Sequence, residues 1–265
     1  MNRTIVHFLF PVLLLALLSC LIGIYFHAPR AAVPPKLPSR TDTAIAAKKI
    51  VALTFDDGPS AKYTPQILDI LKEMKVKATF FVIGRNVVLY PEIVWREVSE
   101  GHALGNHSWS HPFMAPIESK KRLSLEITKT DTAIYNAAGT HVSLFRPPHG
   151  WCPPWMADII GEMGYDIINW TEDPHDWKHP KANIIIKRVE GCMGRSAIVL
   201  LHDGLELKND PDQENTVQAL REIIADFKAD GYQFVTVTQL IEMQEFTKEC
   251  PALLKVIRKP RRAPH

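Results

Sequence analysis

The chain has 265 residues, 46% of them hydrophobic and 23% charged, with a formal net charge of +2. That charge is too small for a nucleic-acid binder, and no basic motif interleaves with aromatic residues, so no nucleic-acid partner is expected. There is no internal repeat and no Gly-rich phosphate loop, and the chain beyond its apolar N-terminus, roughly 200 residues, suffices for one well-buried α/β domain.

No Lys, Arg, Asp or Glu occurs between Arg3 and Arg30, and Phe8 to Phe26 is almost wholly apolar. As a helix that run reaches about 28 Å, close to the thickness of a hydrocarbon core. A cleaved signal peptide carries a shorter apolar region and a small-x-small site, and none follows Phe26. Residues 1–27 are therefore expected to be an uncleaved signal-anchor, a transmembrane helix giving a membrane partner. Leu17-Leu18-Ser19-Cys20 also resembles a lipoprotein cleavage box, so lipidation or secretion stays open. Flanking Arg and Lys do not set the orientation. Pro29, Pro34, Pro35 and Pro38 make residues 28–48 a stiff, extended linker.

From residue 49 to 246 strands alternate with helices. Expected strands are Ile50–Phe55, Ala78–Ile83, Ala103–Asn106, Leu144–Arg146, Asp166–Asn169, Ala197–His202 and Phe234–Thr236. Helices are expected over Pro65–Lys75, Pro91–Glu100, Glu118–Ala138, Pro154–Met163, Lys181–Glu190 and Asp212–Asp230, with Pro65, Pro91 and Pro154 in first turns where no N–H is needed. This alternation predicts an α/β fold with a mostly parallel sheet, open or closed. Residues 247–265 form a basic, solvated tail. An export signal permits a disulfide, and Cys152–Cys192 is the first candidate pair, although spacing does not establish it.

In such a sheet the polar residues at strand ends meet at one rim. Ile50–Phe55 is a buried strand ending in Asp56-Asp57-Gly58-Pro59, two acids that repel unless a cation or a proton intervenes. His107 and His111 lie four positions apart, and one helical turn would point both imidazoles the same way. With an aspartate from the first strand they would make a His-His-Asp metal set. Arg146-Pro147-Pro148-His149 combines a permanent cation with a rigid turn that aims the His149 N–H. The loop Trp170–Trp177 crowds acids and aromatics, and Ile198–Leu201 runs into His202-Asp203-Gly204, repeating the first design. A nearby acid could raise the pKa of His202 and make it a proton donor.

Taken together, these segments resemble the polysaccharide deacetylase family, carbohydrate esterase family four with its NodB homology domain, over about Lys49 to Met243. Thr54–Gly58, His107–His111, Arg146–Gly150, Asp173–Trp177 and Leu200–His202 look like its five motifs in order. The resemblance implies a distorted (β/α) barrel of about seven strands, N-terminally anchored here. It implies an enzyme releasing acetate from N-acetylglucosamine-type units of a cell-envelope or extracellular glycan, with the domain outside a bacterial cytoplasmic membrane. Asp57, His107 and His111 would bind one divalent metal, zinc by preference, with cobalt, nickel or manganese also suited. Asp56 would be the general base, positioned by Arg146. His202 would be the acid, oriented by Asp176. The His149 N–H would face the oxyanion, and Trp177 and Leu200 would wall the acetyl pocket. Position 149 usually holds Tyr in that family, so His149 predicts an altered groove wall. Two other readings remain: a catalytically silent glycan-binding module, and a non-sugar C–N hydrolase of the same superfamily. No protein partner is implied.

Overall fold

The computed structural model describes residues 49–114, 119–206, 212–243 and 257–258. The expected anchor (1–27), linker (28–48) and most of the basic tail lie outside the described residues, among which no helix is long and apolar enough to cross a membrane.

Strand β1 (Ile50–Asp56) is buried along its whole length, as its near-continuous apolar sequence requires of a strand covered on both faces. Along one edge it pairs with β6 (Ala197–His202) from Val51↔Ala197 to Asp56↔His202. The other edge is shared by β2 (Thr79–Val82) and β7 (Gln233–Phe234). The sheet continues through β3 (Ala103–Asn106), β4 (Leu144–Phe145) and β5 (Asp166–Ile168) to β8 (Ile257–Arg258), in the order β6-β1-β2-β3-β4-β5-β8. All pairings are parallel except that of β8 with β5. Just beyond β5, Glu172 bridges to Val199 on β6, and the N–H groups of Thr171 and Glu172 donate to the Ile198 carbonyl. The sheet is therefore curled, with the exit of β5 tied back to the strand at its opposite end.

Between the strands run α1 (Tyr63–Glu73), α2 (Gly84–Leu89), α3 (Pro91–Ser99), α4 (Lys120–Ala138), α5 (Pro154–Glu162), α6 (Ala182–Glu190), α7 (Glu214–Ala229) and α8 (Val237–Glu242). Alternation along β1 divides the core. Val51, Leu53 and Phe55 pack with Ile67 and Leu71 of α1 and Ile223 and Phe227 of α7. Ile50 and Ala52 face the opposite way and pack with Phe81, Ile168 and Ile198 inside the curl. Side chains two apart on a strand share a face, so Thr54 and Asp56 follow Ala52 inward, and Leu200 and His202 follow Ile198.

Pro91 and Pro154 open α3 and α5 as expected. The six-residue α2 and α8 are too short to show a helical repeat in the sequence. Thr236, expected in a strand, instead caps α8, in a box completed by Gln239. The antiparallel β8 falls within the stretch read as a solvated tail. Cys152 and Cys192 are not joined to each other in a disulfide, which corrects the expected pairing. Cys192 is buried under the helices, whereas Cys152 packs beside Phe145 and Met156 in a separate cluster.

Glu97 of α3 is fully buried, and among the described residues neither carboxylate oxygen has a hydrogen-bond partner. Burial, and then the charge of Asp203, push its pKa well above the usual carboxylate range. The folded state thus holds the proton more tightly than the unfolded chain, so stability is lost as pH rises from the ordinary carboxylate range toward the raised value. Glu97→Leu should stabilise the fold by about 1–3 kcal/mol, the cost of a buried unpaired polar group. Thermal melts should show a larger gain at pH 8 than at pH 5, and an equal or negative change would refute the assignment.

Candidate active site

Asp56 ends β1 facing inward. Its Oδ1 accepts a hydrogen bond from Arg146 Nη1 at 2.7 Å, and its Oδ2 lies 3.7 Å from His107 Nε2. Arg146 is completely buried. It also donates to Thr54 Oγ1 at 2.8 Å, to the Ile168 carbonyl at 3.1 Å and to the Asn169 carbonyl at 3.2 Å. Its guanidinium lies 4.0 Å from the ring centre of Phe81. Burial lowers its pKa against the pull of Asp56, yet guanidinium keeps its charge in any protein setting. The planar fork that reaches several acceptors at once is a property lysine lacks.

Asp57 should point to the opposite face of the sheet from Asp56 if the strand continued. Instead the strand stops, and Asp57 adopts φ 74°, a left-handed conformation that Asp tolerates better than most residues. This turns its carboxylate back toward the site. Oδ2 accepts the Glu206 N–H at 2.7 Å, and the Asp57 carbonyl accepts Asn86 Nδ2 at 2.8 Å. Gly204 is needed beside it, because a Cβ there would lie 2.3 Å from the Asp57 carbonyl oxygen.

Asp57 Oδ1 lies 3.3 Å from His107 Nε2 and 3.2 Å from His111 Nε2. It is buried and, among the described residues, has no hydrogen-bond partner. His107 Nδ1 is 2.8 Å from the Arg146 carbonyl, so Nδ1 carries the proton and Nε2 presents a lone pair. Ligand atoms of Asp57, His107 and His111 all lie within 4.8 Å of one another. An orphaned carboxylate oxygen facing two imidazole nitrogens fits a divalent cation in chemistry and in number of donors. Burial would raise the pKa of Asp57, but His111 and His107 hold it below the carboxylate range. Burial pushes His111 down to about 3, the neutral form a metal requires. His107 is raised, because Asp56 and Asp57 outweigh its burial. The ligand atoms of a second group, His111, His149 and Glu206, also lie within 4.8 Å of one another, but two of its side chains are exposed, making it the poorer candidate.

The two imidazoles converge without the expected helical turn. Ser108 and His111 have φ 68° and 49°, conformations that cost of order 1–3 kcal/mol each unless the surroundings hold them. One hold is local, with Ser108 N–H donating to Asn106 Oδ1 at 2.9 Å.

His202 is the register partner of Asp56 on the neighbouring strand. Its Nδ1 lies 2.7 Å from Asp176 Oδ1, and its backbone N–H donates to Asp176 Oδ2 at 2.8 Å. Asp176 also accepts the Trp177 N–H at 3.0 Å and Thr216 Oγ1 at 3.0 Å. Burial pulls the His202 pKa down, but Asp176 first, then Asp57 and Asp56, lift it to about 10. Leu200 is buried on the same inward face. Trp177 follows Asp176, is 40% exposed, and lies under Lys178 Nζ at 4.6 Å. His149 has φ 58°. Its exposed ring stacks on Phe113 at 4.2 Å and meets His111 edge-on at 4.7 Å.

Asp203 was not singled out from the sequence, although it follows His202 as Asp57 follows Asp56. Fully buried, it accepts Thr64 Oγ1 at 2.5 Å, and its carbonyl accepts Ser60 Oγ at 2.7 Å. Its N–H donates to the Asp56 carbonyl at 3.2 Å, so it ties the turn after β1 to the turn after β6. Burial lifts its carboxyl to about 7.

Fold and site define a class: a curled, mostly parallel α/β sheet with an acid–arginine pair, an Asp-His-His cluster that could hold a metal ion and an acid–imidazole dyad at its carboxyl ends. The family model described as polysaccharide deacetylase matches residues 44–168. A peptidoglycan-N-acetylglucosamine deacetylase of Bacillus cereus is 38% identical over 196 residues, 73% of this chain and 89% of that protein. The peptidoglycan-N-acetylglucosamine deacetylase PgdA of Listeria monocytogenes is 40% identical over 192 residues, 72% of this chain, which spans only 39% of that longer protein. Among solved structures, peptidoglycan deacetylase PdaC from Bacillus subtilis superposes with TM-score 0.67 at 39% identity, covering 77% of this chain and 96% of that one. The chain belongs to the polysaccharide deacetylase family.

Proposed function

We propose that the protein is a metal-dependent hydrolase that removes N-acetyl groups from N-acetylglucosamine-type units of a cell-envelope glycan, peptidoglycan foremost, and releases acetate. The observation that carries this reading is Asp57 Oδ1, buried between two imidazole nitrogens with no hydrogen-bond partner among the described residues, beside an Asp56 already engaged by Arg146. A divalent ion held by Asp57, His107 and His111 would supply Lewis-acid polarisation of the acetamide carbonyl and a lowered pKa for attacking water.

The chain's own groups do the rest. Asp56, fixed by Arg146, accepts the proton of the attacking water. The N–H of His149 is aimed by the Pro147-Pro148 turn at the oxygen where negative charge develops. His202, holding its proton against Asp176, delivers it to the sugar nitrogen as the C–N bond breaks. The water oxygen ends in acetate and the sugar leaves as the amine. Names of the relatives support peptidoglycan as the substrate, and an N-terminal anchor would place the domain outside the cytoplasmic membrane.

Acetate release by the purified full chain should be measured on peptidoglycan, chitin oligomers and an exported polysaccharide, after metal analysis. Release that stops with chelator and returns with zinc is expected. Glycan binding with no acetate from metal-replete protein would instead mark a silent binding module, and release only from non-sugar amides a different C–N hydrolase.

A further inference from the structure

We propose that Glu126 is a positioning residue for the metal-ligand loop, and that it sets metal affinity through His111; this rests on the reading of Asp57, His107 and His111 as a metal site. Glu126 lies on α4, outside every recognised motif. One of its carboxylate oxygens, Oε2, accepts the N–H groups of Trp109 and Ser110 at 3.0 and 2.8 Å, and Oε1 accepts Ser110 Oγ at 2.9 Å. All three donors lie between the two histidines. Successive backbone N–H groups converging on one anion form a nest, and bonds to an ionised acceptor are the stronger kind.

The same loop is gripped from two other sides. Its carbonyls at Ser108 and Trp109 accept the N–H groups of Gly84 and Arg85 on α2 at 3.0 and 3.2 Å. Asn106, which accepts Ser108 N–H, donates to the Ile127 carbonyl at 2.9 Å, next to Glu126 on the same helix. The left-handed Ser108 and His111 bracket the residues that Glu126 holds. His107 has an independent support, the Arg146 carbonyl at 2.8 Å. Among the described residues His111 has no such support: its Nδ1 is buried without a hydrogen-bond partner, and its N–H donates within the loop, to Ser108 Oγ at 3.1 Å. Apart from its contact with the exposed His149 ring, the His111 ring therefore takes its orientation from the loop backbone, which Glu126 holds together with α2 and Asn106.

The test is zinc titration of the full chain by calorimetry, with melting of the metal-free protein in parallel. Glu126→Ala should raise the zinc dissociation constant by about 10–100-fold, the usual effect of removing a group that orients a ligand. Turnover should return toward wild type at saturating zinc. Glu126→Gln can accept both N–H groups through its amide oxygen and donate to Ser110 Oγ, so its affinity should stay near wild type. A general loss of stability would lower the apo melting temperature of Glu126→Ala without this rescue pattern. Unchanged zinc affinity in Glu126→Ala, or equal weakening in Glu126→Gln, overturns the proposal. Should Glu126→Ala not fold, Ser110→Ala removes one of the three contacts and must weaken zinc in the same direction, an unchanged constant again overturning the idea. A wild-type chain that binds no zinc would sink the metal reading itself, whereas tight wild-type binding with an unaffected Glu126→Ala sinks only the role of Glu126.

Discussion

Asp57→Ala is expected to abolish metal binding, whereas Asp56→Asn should keep the metal and lose about 10²–10⁴-fold in turnover, the range typical of a positioned general base. The two acids are adjacent in the chain but differently connected. Asp57 Oδ1 faces His107 and His111 with no hydrogen-bond partner among the described residues, so removing it takes away one of three candidate metal donors. Asp56 is bonded to Arg146 at 2.7 Å, and an asparagine can keep that contact through its carbonyl oxygen while losing basicity. Metal analysis and acetate release on the same preparations separate the effects. Full activity in both variants, or loss of metal from Asp56→Asn, would break the division of roles.

The second large effect is expected at the dyad. His202 is lifted to about 10 from an ordinary 6.5, chiefly by Asp176 acting against burial. An acid with that pKa stays protonated through neutral pH, so wild-type turnover should fall only as pH rises toward about 10. Asp176→Asn removes the main upward influence, and the alkaline limb of the kcat profile should move toward neutrality. His202→Ala should cost about 10²–10⁴-fold at pH values below about 10, where the wild-type ring keeps its proton, as for loss of a general acid. Adding Asp176→Asn to His202→Ala should cost little more, because the two act as one unit. The same shift bears on stability. A raised His pKa contributes fully below the unfolded value near 6.5, and that contribution is lost as pH climbs through about 10. An alkaline limb unmoved by Asp176→Asn would remove Asp176 from the mechanism.

Much of this was legible in the chain. The apolar runs of β1 and β6 are long enough to read as buried strands, and alternation alone turns Asp56 and His202 to one face. The parallel register then sets them side by side. Arg146 could be named as a candidate partner of a carboxylate, but its four acceptors come from β1, β5 and the turn after β5. Contacts of that kind depend on how the sheet curls.

What the sequence determined by itself was local and periodic: which strands are buried, which face each residue takes, and which polar groups end the strands. These follow from side-chain chemistry repeated over neighbouring positions. What only the tertiary structure decided was where the strand period is broken and which distant groups hold the break. Alternation would send Asp57 to the wrong face, and its left-handed turn, held by Glu206 and Asn86, brings it back. A helical turn would have sufficed to align His107 and His111, yet a strained loop fastened by Glu126 does so instead. A left-handed residue has no repeating signature, and its fastening lies many residues away in the chain. Packing alone decides that these groups meet.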